Sequence, residues 1–232
     1  MAIALVTSGK AAAASNPTTG SLNTSNATLL VAVVTYAGSP TGVSDNKGNT
    51  WTALTAYANT GVTSRIYYVN SNTPTVGSGH TFTLNGTSIA GVINVMAFSG
   101  TASSPLDSGK DTGNNSGSAA TLAPGSLTPS QNNSILITGF SGGNTYGGAG
   151  TIDLSYTITD NTTLSGGVNY GSAAAYLILS SATAKNPTWT LGSTVSNIAS
   201  SHAVFLGTPF NTFNNFLGVR GASDLSVTEK TM

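Results

Sequence analysis

The feature that most narrows the fold is an echo within the chain. The segment SLNTSNATLLVAVV (21–34) aligns with SLTPSQNNSILITG (126–139) at an offset of 105. TFTLN (81–85) aligns with TWTLG (188–192), and MAFSG (96–100) with AVFLG (203–207), both at an offset of 107. YYVNS (67–71) has a partner in AAYLI (174–178) at that same spacing. A spacing this steady points to two similar halves, each with its own set of strands.

The matched segments carry strand periodicity. TLLVAVVTY (28–36) is an unbroken apolar run, as expected of a strand covered on both faces. TFTLN alternates, with Phe82 and Leu84 inward and Thr81 and Thr83 outward. TWTALTAY (50–57) and SRIYYVN (64–70) are rich in strand formers, and AGVINVMAFSG (90–100) is apolar on both faces. No stretch shows helical spacing with caps, and AAAAS (11–15) is too short to stand alone. The expected fold is all-β: one antiparallel, jelly-roll-like β-sandwich over residues 1–207, with similar halves at about 21–100 and 125–207. Residues 2–7 read as a first strand, and the Ser/Gly/Asn-rich segment 101–120 reads as the connector between halves.

Charge is scarce. Only 6 % of residues are charged, and Lys plus Arg balance Asp plus Glu at seven each. No basic field is present to draw nucleic acid or anionic lipid. At 39 % hydrophobic the chain has the material for a core, so its surface must be clothed in hydroxyls and amides. Little charge then keeps copies apart, which suits a homo-oligomer. Cysteine is absent, so thiolate metal sites and disulfides are excluded. The N-terminus lacks a positive region before its apolar run, and no run is long enough to span a membrane as a helix, so neither a signal peptide nor a membrane anchor is expected.

Catalytic material is thin. The two histidines, His80 and His202, have no second ligand at metal spacing and read as structural or surface residues. The acids Asp45, Asp107, Asp111, Asp153, Asp160, Asp224 and Glu229 form no motif, and neither a nucleophile elbow nor a phosphate loop occurs. No enzymatic activity and no cofactor is expected.

One stretch has the look of a site: DNKGNTW, residues 45–51. Asp45, Asn46 and Asn49 offer oxygens of the kind calcium takes, but with a single carboxylate. Trp51 with Tyr57 could form a platform for a glycan. The simpler reading is a turn. Asp45 accepts backbone N–H bonds, Gly48 takes a positive φ, and Trp51 joins the core, as does Tyr156 at the matching place in the second half.

The pattern D-x-x-G-N-T-W at 45–51, followed by Ile66-Tyr67-Tyr68 and then Phe98-Ser99-Gly100, resembles a recurrent jelly-roll-type sandwich of bacteriophage virion accessory proteins and bacterial surface proteins. The resemblance covers about 21–100 well and 125–207 loosely. It implies architecture and surface display, and it carries over no catalytic residue. The expected function is therefore structural: a capsid decoration, cement or fibre subunit on the virion surface, made in the host cytoplasm. Its expected partners are further copies of itself, as a trimer, and the major capsid protein or other virion proteins. The alternative is a glycan- or host-surface-binding module of a phage tail or of a secreted, extracellular protein. Residues 208–232 lie beyond the repeat and read as a C-terminal arm, whose Phe210, Phe213, Phe216 and Leu217 are candidate interface residues.

Overall fold

The computed structural model describes residues 2–70, 73–143, 150–164 and 170–209. Eleven strands and no helix occur among them. In the first half these are β1 (Ala4–Ala13), β2 (Leu29–Asp45), β3 (Trp51–Asn59), β4 (Val62–Val69) and β5 (Phe82–Ser99). In the second they are β6 (Thr101–Leu122), β7 (Ser134–Gly143), β8 (Thr151–Ile152), β9 (Thr157–Leu164), β10 (Tyr170–Leu179) and β11 (Trp189–Gly207).

Each half forms one antiparallel sheet, and the two sheets have the same strand order. The first runs β1-β5-β2-β4-β3 and the second β6-β11-β7-β10-β9, with β8 added as a short pair to β11. The all-β sandwich of similar halves is thus present. Its connectivity is simpler than the paired Greek keys of a jelly roll, where successive strands change sheet. Here the chain completes one sheet before starting the other. It passes between them at Gly100, whose φ of +76° and contact with the Ala2 carbonyl leave no room for a side chain.

The register refines the repeat. Leu29 lies opposite Phe98, and Ile135 lies opposite Phe205, so Leu29 matches Ile135 at a spacing of 106. Val31 lies opposite Tyr68 as Ile137 lies opposite Tyr176, so the two tyrosines are equivalent. The sequence alignment at 105 in the first case and 107 in the second is one residue out. In a strand, one residue exchanges the two faces. The segment 101–120 is also corrected. It is the 22-residue strand β6, the counterpart of β1. Its Gly, Ser and Asn disfavour strands, but pairing to β11 along one side supplies the ladder that composition does not predict.

Both sheets are covered on both faces, which is why β2 opens on the unbroken apolar run 29–34. The inner faces meet in a core that includes Leu29, Val31, Val33 and Phe98 from one sheet and Ile135, Ile137, Ala203 and Phe205 from the other. The outer face of the first sheet carries Leu30, Ala32, Val34, Tyr67 and Phe82, packed with Leu22, Trp51 and Val76. That of the second carries Leu136, Phe140, Trp189 and Val204, packed with Leu127 and Tyr156. Each such large side chain removed from water contributes about 1.5–3 kcal/mol. The expected arm begins at the edge of the described residues. Thr208 donates its N–H to the Gly100 carbonyl at 3.0 Å, while Phe210, Phe213, Phe216 and Leu217 lie outside the described residues.

Candidate functional site

The DNKGNTW stretch links β2 to β3 and is organised around one carboxylate. Asp45 Oδ1 accepts from the backbone N–H groups of Lys47 (2.9 Å) and Asn49 (3.2 Å). Its Oδ2 accepts from Asn49 Nδ2 (3.0 Å) and from the indole Nε1 of Trp51 (2.7 Å). Gly48 closes the turn with its N–H on the Asp45 carbonyl at 3.4 Å and a φ of +77°, a conformation in which glycine alone avoids Cβ strain. Burial pushes the Asp45 carboxyl up, but the hydrogen bonds, led by that of Trp51, outweigh it and hold the group below the usual carboxylate range.

The two asparagines of the turn clamp a second loop. Asn46 donates to the Gly79 carbonyl at 2.8 Å and accepts from the Thr81 N–H at 3.0 Å. Asn49 does the same with Thr75, at 2.9 and 2.7 Å. His80, fully buried, stacks on Phe82 and shares a 2.8 Å hydrogen bond with Thr24, with its Nε2 3.4 Å from Asp45 Oδ1. Burial lowers its pKa, and Asp45 opposes that only in part. The turn is a fastening that holds residues 73–81 over the outer face of the first sheet.

This arrangement bears on each ligand considered for the stretch. A carboxylate has about four lone-pair sites, and the four N–H donors occupy those of Asp45, so the oxygens that calcium would use are taken. No group of three or more His, Asp or Glu side chains suited to a metal occurs among the described residues. The glycan platform of Trp51 and Tyr57 is corrected. Trp51 lies opposite Val69 on the outer face, edge-on to Phe82 with centroids 5.9 Å apart. Tyr57 lies opposite Ser64, whose hydroxyl bonds Ser201 of the other sheet, so it faces inward. A bulge between Ala53 and Ala56 inserts the extra residue that turns β3 over between the two aromatics. The same bulge recurs in β9 at the matching place.

The second half fills the equivalent position with different chemistry. Tyr156, the counterpart of Trp51, bonds His202 Nε2 through its hydroxyl at 2.9 Å. His202 Nδ1 lies 3.2 Å from the Gly125 carbonyl. A carbonyl only accepts, so Nδ1 carries the proton and Nε2 accepts from the tyrosine. Burial holds His202 down to about 4, with the Gly125 bond opposing, and burial also pushes the Tyr156 phenol up. Both histidines are therefore buried and hydrogen-bonded, in keeping with a structural role.

The remaining described aspartates are engaged as well. Asp107 accepts from the Ser130 N–H at 2.7 Å, Asp111 from Thr55 at 3.3 Å, and Asp153 from Thr188 at 2.7 Å. Asp160, nearly buried, lies 3.6 Å from Lys10 across the seam, and burial raises its pKa against the pull of that ammonium. Sequence reasoning did not foresee the polar pairs between the sheets: Thr35 with Ser141 (2.6 Å), Ser64 with Ser201 (2.9 Å) and Asn94 with Ser172 (2.9 Å). The available signal was Asn94, a lone amide inside the apolar run VINVM. Comparison with known proteins returns no match to this chain among protein-family models, curated proteins or solved structures.

Proposed function

We propose that this chain is a non-enzymatic structural subunit of a bacteriophage particle, a capsid decoration, cement or fibre protein acting through protein–protein contacts. The observation that carries the reading is the use made of its reactive side chains. Every aspartate and histidine among the described residues is tied to a partner inside the fold, and a chain with 6 % charged residues has few others to offer. Acid–base chemistry needs such groups poised toward a substrate. A hydroxyl- and amide-clad sandwich suits lasting contact with neighbours instead. The partners in this reading are further copies of the chain, as a trimer, and the major capsid protein, at the virion surface. The resemblance of the 45–51, 66–68 and 98–100 residues to virion accessory sandwiches supports it. The glycan-binding alternative loses support from the opposite facing of Trp51 and Tyr57.

The test is to raise antibodies to the chain and apply them to purified particles of the phage that encodes it. Immunogold label on the particle surface, with the protein co-migrating with particles on a density gradient, is the expected result. Protein confined to the soluble fraction of the lysed host, with unlabelled particles, overturns the reading.

A further inference from the structure

Contacts across the seam are reciprocal, as in an isologous dimer. Tyr68 of the first half packs on Phe205 of the second, and the equivalent Tyr176 packs on Phe98. Ser64 bonds Ser201, and its equivalent Ser172 bonds Asn94, which matches Ser201. Thr35 bonds its own counterpart, Ser141. These relations place a pseudo-twofold axis between β2 and β7, so that residues on those strands meet their own equivalents.

At three contacts on this seam the equivalents differ in a complementary way. Val33 and Gly139 hold matching positions: Val33 lies between Asn94 and Ile66, Gly139 between Ser201 and Ala174. A Cβ at position 139 would overlap Val33 Cγ1, so the valine occupies the space that the glycine leaves. Gly113 likewise receives the ring of Tyr57, while its counterpart at the other edge is Lys10. Lys10 in turn meets the nearly buried Asp160 at 3.6 Å. Two first halves brought together would set Val33 against Val33 and Tyr57 against Lys10. Two second halves would set glycine against glycine and leave Asp160 facing Gly113 without its ammonium.

We propose that the inner face of each half is a coded interface whose partner is the complementary half, and that Val33–Gly139, Tyr57–Gly113 and Lys10–Asp160 are the pairs that reject a like half. Shared Tyr–Phe and hydroxyl contacts make the two sheets able to stack, and the knob, the hole and the charge pair decide which sheets do so.

The test uses the full chain and the axis pair. Val33→Gly and Gly139→Val each lower the melting temperature, by leaving a void and by overpacking respectively. The double swap sets the valine back against a glycine across the axis, and it should recover more than half of the summed loss while the chain stays monodisperse by size exclusion. A swap no more stable than the sum of the single losses overturns the proposal. If Gly139→Val does not fold, recovery of folding in the swap supports the proposal. If the swap also fails to fold, Val33→Ala and Gly139→Ala decide: a combined loss smaller than the sum supports it, and strict additivity sinks it.

Discussion

Tyr68 meets Phe205 edge to face across the seam between the sheets, with ring centroids 5.4 Å apart. Each ring comes from a different half of the chain, and Tyr176 repeats the contact with Phe98 at 5.3 Å. The pair is a direct link between folding of the first sheet and folding of the second.

Truncating Tyr68, which is only 3 % exposed, should cost about 3–5 kcal/mol in urea unfolding. Tyr176→Ala should cost less, because Tyr176 is only partly buried. Tyr68→Phe keeps the ring and should cost under about 1.5 kcal/mol. A larger cost for Tyr176→Ala than for Tyr68→Ala would contradict the packing described.

The Asp45 turn should behave as one coupled unit. A turn carboxylate serving only backbone donors would cost about 1–2 kcal/mol to remove. Asp45 also holds the Trp51 indole and the Asn49 amide, so Asp45→Ala should cost about 3 kcal/mol. Trp51→Phe keeps the ring against Phe82 and loses the N–H bond, at about 1–2 kcal/mol. In a double-mutant cycle the two changes should be sub-additive by about 1 kcal/mol. Additive losses would mean that the indole bond contributes nothing.

Acid should weaken the fold through its histidines. His202 titrates at about 4 when folded, against an ordinary value of 6.5. Between those values the unfolded chain holds a proton that the folded chain does not. Stability from this group is complete above about pH 6.5, falls by about 3 kcal/mol as pH drops to 4, and then levels off. His80 is shifted in the same direction and adds to the loss. His202→Gln cannot gain the proton, so its melting temperature should fall less steeply over this range. Parallel pH profiles for the two proteins would refute the assignment.

Metal chelation should leave the melting temperature unchanged. The four N–H donors on Asp45 fill the position a calcium ion would need. A marked fall on adding chelator, reversed by calcium, would show that the turn opens to bind the ion.

Much of the outline was legible in the residues. The continuous apolar run at 28–36 and the segment 90–100, apolar on both faces, announce strands covered on both sides, and the structure buries residues 29–34 completely. The match of Trp51-Thr52 to Tyr156-Thr157 also holds, since Thr52 lies opposite Tyr68 as Thr157 lies opposite Tyr176. The turn at 45–48 was readable from Asp and Gly alone, because its hydrogen bonds are local.

What failed to read was whatever depended on a distant neighbour. β6 looks like a connector because its own residues do not favour a strand, and only β11 supplies the pairing. The opposite facing of Trp51 and Tyr57 follows from a bulge set by β4, which no pattern within β3 reveals. Local composition and periodicity determined that this chain is all-β, doubled and poor in free charge, because side-chain alternation and turn chemistry act over a few residues. The tertiary structure alone decided which half meets which, that Asp45 binds an indole, and that Val33 fills the space at Gly139. Those relations join residues far apart in the chain, and close packing, which tolerates neither overlap nor void, selects among them.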